Sequence, residues 1–380
     1  MTKGIQNDSS VFFSLLLLFY MFARFVVYLG KPVLFYLVVV FSVGCFCLYF
    51  LIAGKIHKAF NWMFFVSFVI ILLSFSSLVS SLSLGLNFHR FLYFGALLAS
   101  NAAFAYVLNT QRLSWKIISI YMIFVSLFSL YLMHEGVNPN MVFEHSSRNT
   151  FSVLLLEASA LLYIVSIQRN NFTRFPLWPA ILAFIISVWA MGRSGILSTG
   201  FLLCGVIFAN FLKSRRKIRY FLFVGIVVTL ALILFVSWQR ESFTLVISRF
   251  STEGLKESHR VEIATHYFRQ IAEKPYRLLF GYNVQFDQFL STVWNSNLHN
   301  SYLQLHSIIG IGAIGLLFFI IRGIYKKGKR CTLFWFIGGA LLLRAATDTD
   351  FLFGPTDFLF FYFLFRDIDC LRRPLMSKQK

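Results

Sequence analysis

The sequence predicts an all-α polytopic membrane protein, with about twelve spanning helices and one large loop between the ninth and the tenth. Three observations carry this. Apolar residues fill 58% of the 380 positions and charged residues only 13%, against roughly 45–50% and roughly 25% in soluble domains. Mean hydropathy is +0.72. The basic residues stand in short clusters between long apolar runs. A soluble globular enzyme is excluded. A disordered chain is excluded too, because 48 Phe, 16 Tyr and 7 Trp are too much apolar surface for a solvated coil.

A crossing helix needs roughly 20 apolar residues. In order, the runs that qualify are 11–29, 33–53, 62–84, 90–108, 117–134, 149–167, 177–192, 195–212, 220–238, 300–321, 331–346 and 352–366. The seventh and eighth are parted only by Gly192, Arg193 and Ser194, the last two by an Asp-bearing turn. This divides the chain into 1–238 with nine spans, a 239–299 loop, and 300–380 with three spans and a basic tail.

Loop charge orients the bundle. With the N-terminus in the cytoplasm, the inner segments carry 22 of the 35 Lys and Arg, and every even-numbered span returns to a basic loop. Both termini are then inside. The net charge of +20 is therefore a topology signal, and no nucleic-acid partner is expected. Cys45, Cys47, Cys204, Cys331 and Cys370 show neither zinc spacing nor a disulfide framework. No cleavable signal peptide is expected, because the first apolar run is long and contains Arg24.

The 239–299 loop is amphipathic. His259 to Lys274 reads as one helix, with Val261, Ala264, Phe268 and Ile271 on one face, ended by Lys274-Pro275 and lying on the outer, membrane-facing surface of the bundle.

The candidate chemistry lies on the outer side. Arg24, Arg90, Arg148, Arg193 and Arg344 sit in or at the outer ends of spans. Arg keeps its charge and forks onto two oxygens, which suits phosphate; the bland alternative, strongest for Arg24 and Arg90, is snorkelling to headgroups. Arg193 stands apart, because Gly192 and Gly195 flank it at a break between spans. Backbone or ligand can approach closely there, and the N-terminus of span eight favours anions. The second constellation is His299-Asn300-Ser301-Tyr302-Leu303, followed by Gly310 and Gly312. His299 can move a proton near neutral pH or serve structure alone; Asn300 and Ser301 can cap the helix; Tyr302, Leu303 and His306 share a face with His299 by helical spacing. Glu157, within span six, pairs with a buried Arg or contacts substrate. Asp348-Thr349-Asp350 resembles a metal-binding pair without further ligands.

Met191-Gly192-Arg193-Ser194-Gly195, then Ser258-His259-Arg260 through Glu273-Lys274-Pro275 to Phe280-Gly281-Tyr282, then His299-Asn300-Ser301-Tyr302-Leu303, in this order, resemble the bacterial O-antigen polymerase and ligase family. The likeness covers about residues 140–320. The His-Asn-x-Tyr-Leu element is fairly specific, and the Arg-Ser-Gly element alone is weak. The stretch from Lys274-Pro275 to Gly281 is longer than the family's usual Asn-Pro-x-x-Gly, and Arg148-Asn149-Thr150 matches only loosely.

The resemblance implies a GT-C-like membrane glycosyltransferase of the bacterial inner membrane, metal-independent and without cofactor. Its substrate would be an oligosaccharide linked to undecaprenyl diphosphate, taken from the periplasmic face. Polymerase is the first reading; a ligase shares all three elements, and a transporter or lipid-linked glycan flippase is the rival from another class. On the first reading Arg193, His299 and Arg260 are catalytic, and Arg148, Glu157, Asn300, Tyr302 and Arg344 bind substrate. The implied partners are membrane lipid, the pathway's flippase and a chain-length regulator.

Overall fold

The computed structural model describes residues 2–30, 32–52, 88–143, 148–169, 174–238, 258–294, 297–352 and 354–365, with positions 71, 244, 247–248 and 251. Among these residues there are fifteen α-helices, two short 3-10 turns and no strand. The bundle helices are α1 (Thr2–Tyr28), α2 (Pro32–Ile52), α3 (Phe88–Thr110), α4 (Trp115–His134), α5 (Asn149–Arg169), α6 (Trp178–Trp189), α7 (Arg193–Lys213) and α8 (Lys217–Trp238). The loop holds α9 (Ser258–Glu273), α10 (Tyr276–Phe280) and α11 (Gln288–Trp294). The chain then returns through α12 (Ser301–Ile309), α13 (Gly312–Gly328), α14 (Leu333–Ala345) and α15 (Phe358–Leu364).

Among the described residues, four helical stretches are long and apolar enough to cross a membrane: Ser10–Tyr28, Trp115–His134, Asn149–Gln168 and Arg193–Lys213. Span three (62–84) lies outside the described residues. Four expected spans differ from a simple crossing helix; the eleventh is a 13-residue helix, Leu333–Ala345. The seventh is a 12-residue helix, about 18 Å long at 1.5 Å per residue, against a hydrocarbon layer of about 30 Å. The tenth is broken: Gly310 takes a φ of +56° between α12 and α13. The twelfth keeps only seven helical residues, because the Asp-bearing turn before it is folded into the bundle. Asp357, 1% exposed, accepts the backbone N–H groups of Leu352 (2.7 Å) and Gly354 (3.0 Å). Asn101 of α3 clasps the same turn, donating to the Gly354 carbonyl and accepting from the Phe358 N–H, each at 3.0 Å.

Helix direction follows from contacts at the two ends. α1 and α4 start together: the Ser114 N–H donates to Ser14 Oγ at 2.7 Å, and Ser10 Oγ meets the Arg112 carbonyl. The same end holds the close of α3 and α5, where Gln168 reaches the Leu108 carbonyl. It also holds the end of α7, where Lys213 Nζ lies 3.9 Å over the Phe175 ring, and the end of α13, where Lys327 donates to Asn109 Oδ1 at 2.9 Å. The clusters around Arg112, Lys213 and Lys327 thus share one end, here called the basic end. The opposite end collects the close of α1 and α14 and the starts of α5, α7 and α12.

The core of the bundle is aromatic. Phe25 meets Phe124, Phe128 and Phe143 edge-on at centroid distances of 5.4, 5.4 and 6.1 Å, an arrangement that sets ring edges against faces. A second, smaller core lies under α9: Ile263, Tyr267, Tyr282, Val284, Leu290 and Leu298. The α9 bounds match the sequence reading; its packed face does not. Ile263 and Tyr267 are fully buried, and Ile271 packs beside them, whereas Val261 and Phe268 of the expected face are exposed.

This loop subdomain is fastened to the break in the tenth segment. The Ile311 N–H donates to the Leu279 carbonyl at 3.1 Å. A Cβ on Gly310 would lie 2.0 Å from the Leu279 carbonyl oxygen, and one on Gly281 2.5 Å from that of His306. Both glycines have positive φ, so the backbones touch where no side chain fits. His306 completes the joint, with Nδ1 2.7 Å from the Tyr267 hydroxyl and Nε2 3.0 Å from the Leu278 carbonyl.

Candidate functional site

Three helix N-termini converge opposite the basic end, and a buried guanidinium joins two of them. Arg344, at the close of α14, is fully buried. Its Nη1 donates to Ser194 Oγ in the first turn of α7. Its Nη2 donates to the Asn149 carbonyl at the start of α5 (3.2 Å) and to Asp348 Oδ2 (2.7 Å). The third N-terminus, that of α12, is tied to the turn that follows Arg344. Ser301 Oγ donates to the Asp348 carbonyl, and Asn300 Nδ2 to the Ala346 carbonyl at 3.1 Å. Aligned peptide dipoles give each helix start a partial positive charge, which favours an anion.

Local sequence builds each corner. Gly192 is the N-cap of α7, and a Cβ there would lie 2.4 Å from Asn149 Oδ1. A Cβ on Gly195 would lie 2.3 Å from Ser152 Oγ. The glycines flanking Arg193 therefore let α5 and α7 approach side by side. Met191, just before the break, has a φ of +54°. Asn300 caps α12, its Oδ1 accepting from the N–H groups of Tyr302 (2.9 Å) and Leu303 (3.2 Å). His299 stands outside that helix with a φ of +48°, held by its N–H on Asn297 Oδ1 at 2.7 Å.

The sequence candidates separate into two groups. Arg148, Arg193 and His299 are half-buried beside the starts of α5, α7 and α12. Arg344 and Glu157 are fully buried and engaged within the protein. Arg344 is thus a positioning residue, with both terminal nitrogens held by protein oxygens. Tyr302 donates its hydroxyl to the Leu342 carbonyl at 2.7 Å and braces α12 against α14. The helical-face argument that joined Tyr302, Leu303 and His306 to His299 fails, because His299 precedes the cap. Arg260 lies half-buried in the first turn of α9. The Arg90 side chain lies outside the described residues.

Arg24 does not snorkel. It is 1% exposed and ion-paired with Glu157; its Nη1 also meets Thr356 Oγ1 and its Nη2 the Tyr28 hydroxyl, both at 3.1 Å. Thr356 in turn donates to Glu157 Oε1. Sequence reading proposed a buried Arg for Glu157 without naming it; the partner is 133 positions away and carries no local signal. Asp350, in the turn between α14 and α15, is pushed up to about 6 by burial and by the neighbouring Asp348, against the pull of Arg24 and Arg344. Asp348 and Asp350, the run that resembles a metal-binding pair, thus lie among guanidinium groups. Among the described residues no cluster of three or more metal-ligating side chains gathers.

Comparison with protein-family models, with curated proteins and with solved structures finds no match for this chain.

Proposed function

We propose that this protein is a membrane-embedded glycosyltransferase: an O-antigen polymerase that joins undecaprenyl-diphosphate-linked repeat units on the periplasmic face of the inner membrane. The observation that supports it best is the meeting of three helix N-termini with Arg193, Arg148 and His299, at the end of the bundle away from the basic loops. On this reading the basic end faces the cytoplasm and the convergence faces outward.

Donor polymer and acceptor repeat unit both ride on the lipid carrier. The acceptor hydroxyl forms a bond to the donor's anomeric carbon, the bond from that carbon to the diphosphate oxygen breaks, and undecaprenyl diphosphate leaves with the electron pair. The leaving group is already a good one, so the protein's task is to hold charge and position reactants. Arg193 grips the diphosphate at the start of α7, with Arg148 beside it and Arg260 of the loop as a helper. His299 orients the acceptor hydroxyl and takes its proton late, because the transition state is cation-like and needs little base. Arg344 and Asp348 keep the helix starts in register. Membrane lipid surrounds the bundle, and the pathway's flippase and chain-length regulator are its expected partners.

Arg193→Ala is expected to lower the transfer rate by about 10²–10³-fold, as for loss of one charge-stabilising donor, with purified protein and a defined lipid-linked repeat unit as the assay. Normal chain lengths from a well-expressed variant would refute this role. A deletion strain tells polymerase from ligase. Single-repeat capped core marks a polymerase, and lipid-linked polymer with bare core marks a ligase. The broken tenth segment is a feature also found in transporters. Here, however, loop backbone seals the break through Leu279 and Ile311, which favours the enzyme.

A further inference from the structure

The five-residue helix α10 is folded inside out for a segment in water. Its one charged side chain is turned inward. Arg277, 6% exposed, donates from Nη1 to the Gln270 carbonyl at 3.3 Å and to Gln270 Oε1 at 2.6 Å, and its Cζ lies 4.7 Å from the centroid of the Tyr282 ring. The apolar side chains are turned outward. Leu278 is 46% exposed and Leu279 49%, with Tyr276 exposed beside them. A loop in water does the reverse, because a guanidinium buried among neutral partners loses hydration and exposed leucines forgo the gain of burial.

The apolar patch continues onto the bundle. The Leu279 carbonyl accepts the Ile311 N–H at 3.1 Å, so α10 lies against the start of α13. From there Ile311, Ile314, Phe318 and Ile321 are all exposed; at i, i+3, i+7 and i+10 they form one helix face. α13 has 17 residues and carries Lys326 and Lys327 in its last turn, at the basic end. It is about 25 Å long at 1.5 Å per residue, against a hydrocarbon layer of about 30 Å. With the lysines at one boundary of that layer, Ile311 and Leu279 fall just inside the other. The residues before α10 suit such a boundary. Lys274 is exposed, with a stem long enough to keep its ammonium among headgroups, and Tyr is a residue of membrane–water boundaries. Glu273 is exposed beside Lys274, so the pair carries no net charge and calls for no anionic lipid.

We infer that α10 anchors the loop subdomain in the bilayer. Leu278 and Leu279 enter the hydrocarbon edge of the leaflet opposite the basic end, and Lys274 and Tyr276 stay among its headgroups, as in an interfacial helix. The partner is the lipid surface, whatever its headgroup charge. The same two leucines give their carbonyls to His306 Nε2 and to the Ile311 N–H. The lipid contact and the seal on the broken tenth segment therefore share one turn of chain. The anchor requires that α13 cross the membrane, and no catalytic role.

The test is spin labelling of the full chain in lipid nanodiscs, its native cysteines replaced by alanine. Single labels go at Leu278→Cys, Leu279→Cys, Phe318→Cys and Arg216→Cys. Phe318 is the reference for lipid, and Arg216, exposed in the basic turn between α7 and α8, the reference for water. Oxygen concentrates in lipid, and a nickel chelate stays in water. The ratio of their collision rates at 278 and 279 should match that at Phe318 and exceed that at Arg216. It should be the same in phosphatidylcholine alone and with anionic phosphatidylglycerol added. Ratios like that of Arg216 would place the leucines in water, and exclusion of both reagents would place them under protein, such as a second copy of the chain; either overturns the anchor. A lipid-like ratio only with the anionic lipid would overturn it too. The Leu278→Asp, Leu279→Asp double variant should speed amide hydrogen exchange over 276–280 in nanodiscs by about tenfold or more, as for one leucine's worth of lost burial. Unchanged exchange would count against insertion.

Discussion

Lys327 at the basic end and Arg24 at the opposite end are both buried cations inside an aromatic bundle, yet they are held by different chemistry. Lys327, 4% exposed, rests on neutral groups: Asn109 Oδ1 at 2.9 Å and the Tyr362 ring, whose centroid is 4.1 Å from Nζ. Arg24 is locked to a carboxylate, Glu157, with Thr356 and Tyr28 closing the network, and Arg344 likewise holds Asp348. At the basic end the partners seen for the deep cation are neutral. At the other end the deep arginines, Arg24 and Arg344, are paired with carboxylates within the protein.

The sharpest way to break the comparison is to remove one partner at each end. Glu157→Leu should cost about 3–5 kcal/mol, since it strands a buried guanidinium; the Arg24→Met, Glu157→Leu double variant should recover most of that. Thermal unfolding in detergent measures both, and a double variant no better than the single would sink the ion-pair account. Gly310→Ala comes next, at about 1–3 kcal/mol for a side chain forced to positive φ and more for its clash with the Leu279 carbonyl, read as earlier proteolysis of the 258–294 region. Lys327→Met should cost less than Glu157→Leu, because Asn109 Oδ1 and the Tyr362 ring, on which the ammonium rests, are neutral; a loss as large as that of Glu157→Leu would erase the distinction between the ends. The smallest effect is a slope. The carboxyl of Asp350 is raised to about 6, so the folded state binds its proton more tightly than the unfolded chain does. That contribution is fully present below pH ~4, near the unfolded carboxyl value, and is lost as the pH rises through about 6. Asp350→Asn should flatten the stability profile in this window, and an unchanged profile would show that another group titrates there.

Charge placement and helix existence were legible from the sequence, and partners across the fold were not. Lys and Arg mark the ends of apolar runs because the bilayer sets their cost locally, so the clusters around Arg112, Lys213 and Lys327 could be assigned to one end without any contact. The bounds of α9 came from periodicity and from Pro275. Its buried face did not, since Val261–Phe268 and Ile263–Tyr267 are both apolar stripes at helical spacing and only Tyr282 and Leu290 choose between them. Gly310 was read as a packing residue, whereas its positive φ breaks the span. Arg277 gave no signal, because an arginine turned inward is visible only once the surrounding residues are in place.

His299 adopts the left-handed backbone conformation just before the α12 cap, and this governs how its imidazole should be interrogated. Replacements with Val or Ile would deform the main chain by themselves, and lost turnover would then report on conformation. Asparagine is at ease at such angles, so the His299→Asn exchange removes the titratable ring while leaving the path into the following helix undisturbed. Among simple substitutions it is the one from which proton chemistry at this position can be read cleanly.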